Sequence, residues 1–253
     1  MKLRIDKILV ERGLVASRER AQAMLLAGRV LVNGQKVLKA GTAVEDECEI
    51  RLLGEDLKYV SRGGLKLEAA LQHWNVHLTG RTCVDVGTST GGFTDCMLQH
   101  GAAEVICVDT GYGQIAAKLR SDPRVKLLEN TNARYLTSDQ VRAASPTARV
   151  SLIAVDVSFI SVTLILPAVL ASVFAQDKAD QRELVVLIKP QFEVGRERVG
   201  KGGIVRDEEA RKDAVKKVCS SVTDLNGRNV DVIDSPILGM EGNHEYLLHA
   251  EFS

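Results

Sequence analysis

From Arg81 to the last residue, short apolar segments that resemble β-strands alternate with segments of helical spacing. The strand-like segments are TCVDVG, EVICVD, VKLLE, VSLIAVD, ELVVLIK, VDVIDS and EYLLHAEF. Helices fit between them near residues 91–100, 114–120, 138–143, 161–175 and 207–225. This alternation predicts an α/β fold with a mostly parallel seven-stranded sheet and helices on both faces. Ligands of such sheets bind at the carboxyl ends of the strands.

The first part of the chain has a different pattern. IDKILVERG has helical spacing and ends at Gly13, and Ser17 can cap a second helix that Gly28 ends. The segment VLVNGQKV then predicts two short strands joined by a turn at Asn33–Gly34. We therefore predict a small α+β domain over residues 1–55, a linker over 56–60 and the α/β domain over 61–253.

The small domain is basic, although the whole chain holds 33 basic and 33 acidic residues. Residues 1–40 contain nine Lys or Arg and three acids. This excess favours contact with a polyanion, and a solvated helix face is the alternative. The candidate contacts of this domain with such a partner are Arg4, Lys7, Arg18 and Arg20.

Cysteine and histidine usage indicates neither a disulfide framework nor a metal site. The five cysteines form no CxxC pair, and the five histidines lack metal spacing. The N-terminus has no signal-peptide core, and the longest apolar stretch, residues 161–175, is shorter than the about 20 residues that a membrane span needs. We therefore expect a cytoplasmic protein without metal or membrane partner.

A glycine-rich turn follows the first strand of the α/β domain, in VDVGTSTGGFT at residues 84–94. The next strand ends at Asp109, where a carboxylate can accept hydrogen bonds from two ribose hydroxyls. The turn is neither GxGxxG nor a GK(S/T) loop, which favours S-adenosylmethionine over a dinucleotide or a purely structural turn. The candidate cofactor-binding residues are Asp85, Gly87, Ser89, Thr90, Gly91, Gly92, Phe93, Asp109, Asn132 and Asp156.

Charged residues stand at the ligand edge of the predicted sheet. Asp156 and Lys189 end two parallel strands, and Glu245 begins the last strand, which is antiparallel in the methyltransferase arrangement. Lys66 lies in SRGGLKLEAAL, on the first turns of a helix before the sheet. Two lysines and two acids are therefore expected to converge, although an ordinary ion pair at a sheet edge is the alternative for Lys189 and Asp156.

Two resemblances follow from these motifs. RIDKILVERGL, SRERAQAMLLAGRVLVNG and their order resemble the S4 RNA-binding domain. SRGGLKLEAAL, DVGTSTGGFTDCML, VDTGYGQIA, ENTNARYLT, VDVSFIS, LVVLIKPQFEVGRERVGKGGIV and GNHEYLL together resemble the TlyA family, which joins an S4 domain to a Rossmann-like, FtsJ-related methyltransferase domain and is often labelled hemolysin A.

The resemblance implies 2′-O-methylation of ribosomal RNA with a Lys-Asp-Lys-Glu tetrad, here Lys66, Asp156, Lys189 and Glu245. Longer members that modify both ribosomal subunits have extra residues at both ends. This chain is similar to the short type, expected to modify a cytidine of the large-subunit 23S RNA only.

The expected roles of the four residues follow from the chemistry of a ribose hydroxyl, which is a poor nucleophile. Lys189 takes the 2′-proton or stabilises the developing oxyanion, and Asp156 orients that lysine. Lys66 tunes the site and steadies the attacking oxygen. Glu245 orients Lys66 or the ribose.

Further RNA contacts are expected around this site. Phe159 can stack on an RNA base, with core packing as the alternative. The glycine-rich loop GRERVGKGGIVR offers basic side chains for phosphate, with solvated charges as the alternative. The remaining candidate RNA contacts are Arg134, Arg196, Arg198 and Lys201.

Rival functions make different demands on the sequence. A ribosome-assembly module without catalysis would keep the basic domain but would not need the tetrad. A membrane-lytic protein would need a spanning or amphipathic segment, which we do not find. A small-molecule methyltransferase is disfavoured by the basic domain, and base N-methylation by the absence of a (D/N)PP(Y/F) motif after the fourth strand.

Overall fold

The structure is a computed structural model that describes residues 2–15, 17–26, 28–53, 58–147, 149–174, 182–239 and 242–253. The chain divides into two compact units, residues 1–57 and 58–253. The predicted linker, residues 56–60, lies partly outside the described residues.

The first unit contains two helices and short strands around a small core. The helices are α1, Ile5–Glu11, and α2, Arg18–Leu26. The strands are β1, Lys2–Arg4; β2, Val30–Val32; β3, Gln35–Lys36; β4, Ala43–Glu45; and β5, Ile50–Leu52. Asn33 and Gly34 both have positive φ between β2 and β3, as the predicted hairpin turn requires. The pairing of β1 with β4 was not predicted, because three-residue strands carry too few positions to show alternation.

The second unit is built on a seven-stranded sheet. Its strands are β6, Thr82–Val86; β7, Glu104–Val108; β8, Val125–Leu128; β9, Val150–Val155; β10, Arg182–Ile188; β11, Arg228–Asp234; and β12, Tyr246–Phe252. The strand order is β11-β12-β10-β9-β6-β7-β8. Only β12 runs against its neighbours. The predicted α/β class and the mostly parallel sheet are therefore confirmed.

Seven helices are described in this unit, on the two faces of the sheet. They are α3, Gly63–His73; α4, Gly92–Gln99; α5, Ala117–Arg120; α6, Ser138–Ala144; α7, Leu166–Phe174; α8, Pro190–Glu193; and α9, Glu208–Asp224. The helix expected near 114–120 is only one turn long. The segment expected to be one helix over 161–175 begins as a separate 3-10 turn, Val162–Leu164.

Two apolar clusters cover the two faces of the sheet. One contains Val84, Val86, Ile153 and Val155, and the other contains Cys83, Leu152 and Ala154, as alternate residues of each strand point to opposite faces. Burial on both faces explains why these strands are apolar throughout, and the carboxyl ends of β6, β9 and β10 lie at one edge. Across the described residues, no helix has both the length and the apolar character to cross a membrane.

Candidate active site

The glycine-rich turn after β6 is shaped by close approach to the chain that follows β9. Gly87 has φ +87°, and a Cβ at that position would collide with the carbonyl group of Asp156. The Asp156 N–H donates to the Val86 carbonyl oxygen at 2.9 Å. Gly91, with φ +93°, is the N-cap of α4. Since both turns of backbone require glycine, these positions are explained by geometry alone.

Asp109 follows β7 and is held by the same turn. One carboxylate oxygen accepts the Ser89 N–H at 2.7 Å, and the other accepts the Gly111 N–H at 2.7 Å. A carboxylate has about four lone-pair sites, so two remain for other donors. Asp109, Ser89 and Gly111 line a small cavity together with Gln114 and Glu129.

Asp85 is in a different environment from the other predicted cofactor residues. It is fully buried, and one oxygen accepts the Thr94 N–H at 3.0 Å and the Thr94 hydroxyl at 2.5 Å. Burial raises the pKa of Asp85 to about 7. Asp85 therefore fastens α4 to β6, and it is not among the described residues that line the larger cavity.

A cavity of about 500 Å³ lies at the carboxyl edge of the sheet. Its lining includes the four tetrad candidates, the predicted cofactor residues Gly87, Ser89, Thr90, Gly92 and Phe93, and the aromatic residues Phe159 and Phe192. Four of the predicted cofactor-binding residues do not line this cavity: Asp85, Gly91, Asp109 and Asn132. The structure thus brings most of the predicted cofactor and catalytic residues to one cavity.

Lys189 and Asp156 form an ion pair in this cavity. The Lys189 Nζ lies 2.6 Å from Asp156 Oδ1 and donates to the Ser158 Oγ at 2.9 Å. The two side chains are 12% and 22% exposed. Their meeting follows from the parallel pairing of β9 and β10, in which Val155 lies opposite Val186. Pro190 begins α8 immediately after Lys189, so the chain turns away from the sheet at this point.

Lys66 and Glu245 form the second pair of opposite charges. Their side chains are 10% and 2% exposed, and the Lys66 ammonium contacts a Glu245 carboxylate oxygen. Glu245 immediately precedes β12, whose first residue lies opposite Ile188. Each lysine therefore has a carboxylate as its nearest ionic partner. The sequence placed four charges at this edge but did not predict which lysine pairs with which acid.

The helix that carries Lys66 is held close to the glycine-rich turn. Gly64 packs directly on the Tyr59 ring, and Gly92 packs on Ser61. A side chain at Gly64 would collide with Tyr59, and one at Gly92 would collide with Ser61 and meet the backbone of Gly63 and Gly64 at the start of α3. Gly92 therefore limits the distance between α4 and the helix that carries Lys66.

Phe159 projects beside the ion pair of Lys189. Its side chain is 92% exposed, and its φ is +65°, which is uncommon for a residue other than glycine. The ring lies 5.3 Å from the ring of Phe192, at an interplanar angle of 52°. Core packing, the alternative for Phe159, is wrong, because the ring is at the surface of the described chain.

The other candidate RNA contacts differ in their surroundings. In the first unit, the buried Asp6 accepts bidentate hydrogen bonds from Arg4, both at 3.0 Å, and one hydrogen bond from Arg18 at 2.9 Å. These bonds, led by that from Arg4, lower the pKa of Asp6. Lys7 is exposed, and Arg20 is half-buried near the start of α2. The two guanidinium groups of Arg4 and Arg18 are thus held side by side.

In the second unit, Arg134 lies over the Tyr135 ring at 5.8 Å, and Asn132 caps the turn that begins at Ala133. Arg198 pairs with Asp213 at 2.8 Å and with Asp207 at 3.5 Å. Arg196 and Lys201 are exposed. Of the three candidate cations of the basic loop, Arg196 and Lys201 are thus exposed, while Arg198 is engaged by carboxylates.

Asn243 was missed by sequence reasoning although it is central to this side of the cavity. It is buried, donates to the Gly203 carbonyl oxygen at 2.9 Å and accepts the Val205 N–H at 3.1 Å. It thereby joins the glycine-rich basic loop to the segment that carries Glu245. Its presence in the GNHEYLL motif was a signal, but the sequence did not indicate its partner 40 residues away.

The donor set suits an adenosine-type ligand and gives no sign of a metal site. Asp109 offers carboxylate lone pairs to vicinal hydroxyls, and Gly87 and Ser89 of the neighbouring turn line the larger cavity. No cluster of His, Cys, Asp and Glu in the described parts of the chain could hold a metal ion.

Comparison with known proteins identifies both units. A model described as FtsJ-like methyltransferase matches residues 59–252, and one described as S4 domain matches residues 3–50. The 16S/23S rRNA (cytidine-2′-O)-methyltransferase TlyA of Mycobacterium tuberculosis is 43% identical over 97% of this chain and 88% of its own. Hemolysin A of Brachyspira hyodysenteriae is 40% identical over 98% of this chain and 99% of its own.

Two further comparisons extend this result. The 23S rRNA (cytidine-2′-O)-methyltransferase TlyA of Campylobacter jejuni is 30% identical over 98% of each chain. A solved structure described as a candidate hemolysin from Streptococcus thermophilus is 41% identical, has a TM-score of 0.73 and covers 100% of this chain and 89% of that one. The chain is therefore a methyltransferase of the FtsJ-like family. Within that family it belongs to the S4-containing proteins named TlyA or hemolysin A, which confirms the predicted resemblance.

Proposed function

We propose that this protein is an S-adenosylmethionine-dependent methyltransferase that modifies the 2′-hydroxyl of a cytidine in ribosomal RNA. The observation that carries the proposal is the convergence of Lys189, Asp156, Lys66 and Glu245 on one cavity beside the glycine-rich turn. The names of the relatives from M. tuberculosis and C. jejuni support the choice of substrate.

The cofactor would be held by the turn after β6 and by Asp109. The carboxylate of Asp109 keeps its orientation through the N–H groups of Ser89 and Gly111, so it can accept hydrogen bonds from ribose hydroxyls. Gly87, Ser89 and Thr90 of the turn line the cavity that would receive the ligand. Bound S-adenosylmethionine supplies a methyl group on a sulfonium centre, which is already a good electrophile.

The chain's contribution to the reaction is positioning and proton transfer. Lys189, in its neutral form, accepts the proton of the 2′-hydroxyl, or as ammonium it stabilises the oxyanion that develops there. Asp156 and Ser158 hold the Lys189 Nζ in a fixed place. Lys66 lines the same cavity, and its pairing with Glu245 would orient its ammonium toward the attacking oxygen. Much of the rate comes from holding the reacting groups in line.

The RNA would be held around the cavity by charge and stacking. The exposed ring of Phe159 offers a face for the base of the target nucleotide, and Arg196 and Lys201 offer cations for phosphate. Arg4 and Arg18 give the first unit a pair of guanidinium groups for the RNA backbone. We propose the large ribosomal subunit as the partner and the cytoplasm as the compartment.

Large-subunit 23S RNA is the substrate common to the names of the two TlyA relatives, so we propose it as the target. The test is methyl transfer from labelled S-adenosylmethionine to isolated large and small subunits, followed by digestion to nucleosides. Labelled 2′-O-methylcytidine from the large subunit alone is the expected result. Label in both subunits would extend the substrate range, and label on neither, with cofactor binding intact, would favour an RNA-binding role in ribosome assembly.

A further inference from the structure

Glu193 ends α8 and takes no part in the proposed chemistry, yet its side chain is only 2% exposed. One carboxylate oxygen accepts the Val162 N–H at 2.7 Å, and the other accepts the Ser161 hydroxyl at 2.5 Å. Glu193 therefore caps the turn that begins at Val162, which lies more than 30 residues earlier in the chain. Burial of a carboxylate is strongly unfavourable unless it is met by such donors.

Lys217, on α9, completes this arrangement. Its ammonium donates to the Glu193 carbonyl oxygen at 2.8 Å and lies 3.3 Å from the Glu193 carboxylate. It also donates to the Ser161 hydroxyl oxygen at 3.2 Å. The three side chains thus fasten together the loop 156–161, α8 and α9, and we call them the Glu193 clasp.

Two of the segments that the clasp joins carry the side chains expected to contact the substrate. The loop 156–161 carries Asp156 and Phe159, and the segment 189–193 carries Lys189 and Phe192. The Lys189–Asp156 ion pair and the Phe159–Phe192 ring contact both bridge the two segments. A shift of one segment against the other would therefore move the catalytic pair and the stacking face at the same time.

The backbone of Phe159 shows why such a fastening is required. Its positive φ is disfavoured for an aromatic residue, and its ring is 92% exposed, so burial of the ring does not compensate. A strained conformation persists only when the surrounding structure fixes it. The clasp fixes the loop at Ser161, two residues after Phe159.

We propose that Glu193, with Ser161 and Lys217, is a positioning residue that holds the acceptor nucleoside in register with Lys189. This inference rests on the proposed function. None of the three residues is among those that line the cavity, so the clasp acts through Lys189, Asp156 and Phe159.

The test compares Glu193→Gln, Ser161→Ala and Lys217→Met with two control variants on α9, the helix that carries Lys217. Glu209→Gln and Lys216→Met change exposed residues of α9. We expect Glu193→Gln to lower kcat for RNA methylation by about 10- to 100-fold, since a displacement of about 1 Å can cost that much. Ser161→Ala keeps the Val162 donor, so its expected loss is smaller, about 3- to 10-fold. The controls should stay within about twofold.

Two measurements separate positioning from a structural role. The affinity for S-adenosylhomocysteine should stay within about twofold in all variants, and the active fraction is taken from the stoichiometry of that binding. A Glu193→Gln protein that melts earlier but keeps wild-type kcat per active site well below its melting temperature would overturn the proposal. If Glu193→Gln does not fold, the kcat of Ser161→Ala tests the proposal in its place, and wild-type kcat in that variant would overturn it.

Hydrogen exchange provides a readout that does not depend on RNA. The Val162 amide should exchange faster in Glu193→Gln, because a neutral amide oxygen accepts a hydrogen bond more weakly than a carboxylate oxygen, while amides of β9 keep their protection. Wild-type protein that methylates no RNA would refute the proposed function, and exchange at Val162 would still test the clasp. Unchanged exchange at Val162, or wild-type kcat in Glu193→Gln, would refute the clasp while leaving the proposed function intact.

Discussion

The ammonium nitrogen of Lys189 lies 2.6 Å from a carboxylate oxygen of Asp156, where two neighbouring parallel strands end. The pair is mostly shielded from solvent and opens onto a cavity that also contains the Lys66–Glu245 pair. Two lysines, each beside an acid, give the cavity groups that can hold, accept or donate a proton.

The Lys66–Glu245 pair should be strongly coupled in stability, because both side chains are buried. Lys66→Met leaves an unpaired buried carboxylate, and we expect it to lower the free energy of unfolding by about 3 to 5 kcal/mol. The double variant Lys66→Met/Glu245→Gln should cost at least about 1 kcal/mol less than the sum of the single changes. Urea unfolding of the four proteins measures this coupling.

The matched control is an exposed pair, Arg142 and Asp139, at 2.7 Å. Arg142→Met should change the free energy of unfolding by less than about 0.5 kcal/mol. Additive effects of the Lys66 and Glu245 variants would show that the two side chains do not share an ion pair in solution.

Asp109 should determine the affinity for the cofactor. Asp109→Asn removes the charge that would accept hydrogen bonds from ribose hydroxyls, and we expect S-adenosylhomocysteine to bind about 10- to 100-fold more weakly. Isothermal titration calorimetry measures this change. Asp122→Asn, whose carboxylate pairs with Arg124 instead, serves as the control and should bind as the wild type does. Equal affinities of the two variants would exclude Asp109 from the cofactor site.

Asp85 should make stability depend on pH. Burial raises the pKa of Asp85 to about 7, while an unfolded aspartate has a pKa of about 3.9. The folded state therefore holds this proton more tightly, and the resulting stability is fully present below about pH 4 and is lost as pH rises to about 7. Asp85→Asn does not ionise. As pH increases through this window, the free energy of unfolding of Asp85→Asn, relative to that of the wild type, should rise by up to about 1.4 kcal/mol per pH unit and level off above it. Urea unfolding between pH 5 and 8 measures this; parallel profiles would contradict the buried-carboxyl account.

Phe159 should contribute to RNA methylation and not to folding. Phe159→Gly relieves an unfavourable φ and removes a ring that is 92% exposed, so the free energy of unfolding should stay within about 0.5 kcal/mol or rise. Loss of a stacking face should lower kcat/KM for RNA by about 10- to 100-fold. Phe159→Tyr keeps the ring and should retain activity. A large loss of stability in Phe159→Gly would mean that the ring packs in solution.

The sequence predicted the edge of the sheet but not the contacts there. The ends of the strands can be predicted from the sequence, because the apolar segments stop at Asp156 and Lys189 and the last strand starts after Glu245. The pairing of Lys66 with Glu245 depends on where α3 crosses the sheet, and the contact of Gly92 with Ser61 that limits this position joins residues far apart in sequence. Periodicity carries no information about such contacts.

Asp85 and Glu193 show that the sequence alone does not assign the role of a charged residue. Asp85 lies in a motif typical of a cofactor turn, and nothing in the sequence indicates that its carboxylate accepts hydrogen bonds from Thr94 in the interior. The sequence predicted no role for Glu193, since its partners Ser161 and Lys217 are each more than 20 residues away. Burial and long-range partners decide the role of a charged residue, and both require the fold.

The measurement that tests the central claim most directly is methyl transfer from labelled S-adenosylmethionine to large ribosomal subunits by wild type and Lys189→Met, with calorimetric binding of S-adenosylhomocysteine to both. We expect the wild type to label 23S RNA, and we expect the variant to lose at least about 100-fold in kcat while its affinity for S-adenosylhomocysteine stays within about twofold. A Lys189→Met protein that methylates RNA at the wild-type rate would contradict the catalytic assignment of the Lys189–Asp156 pair.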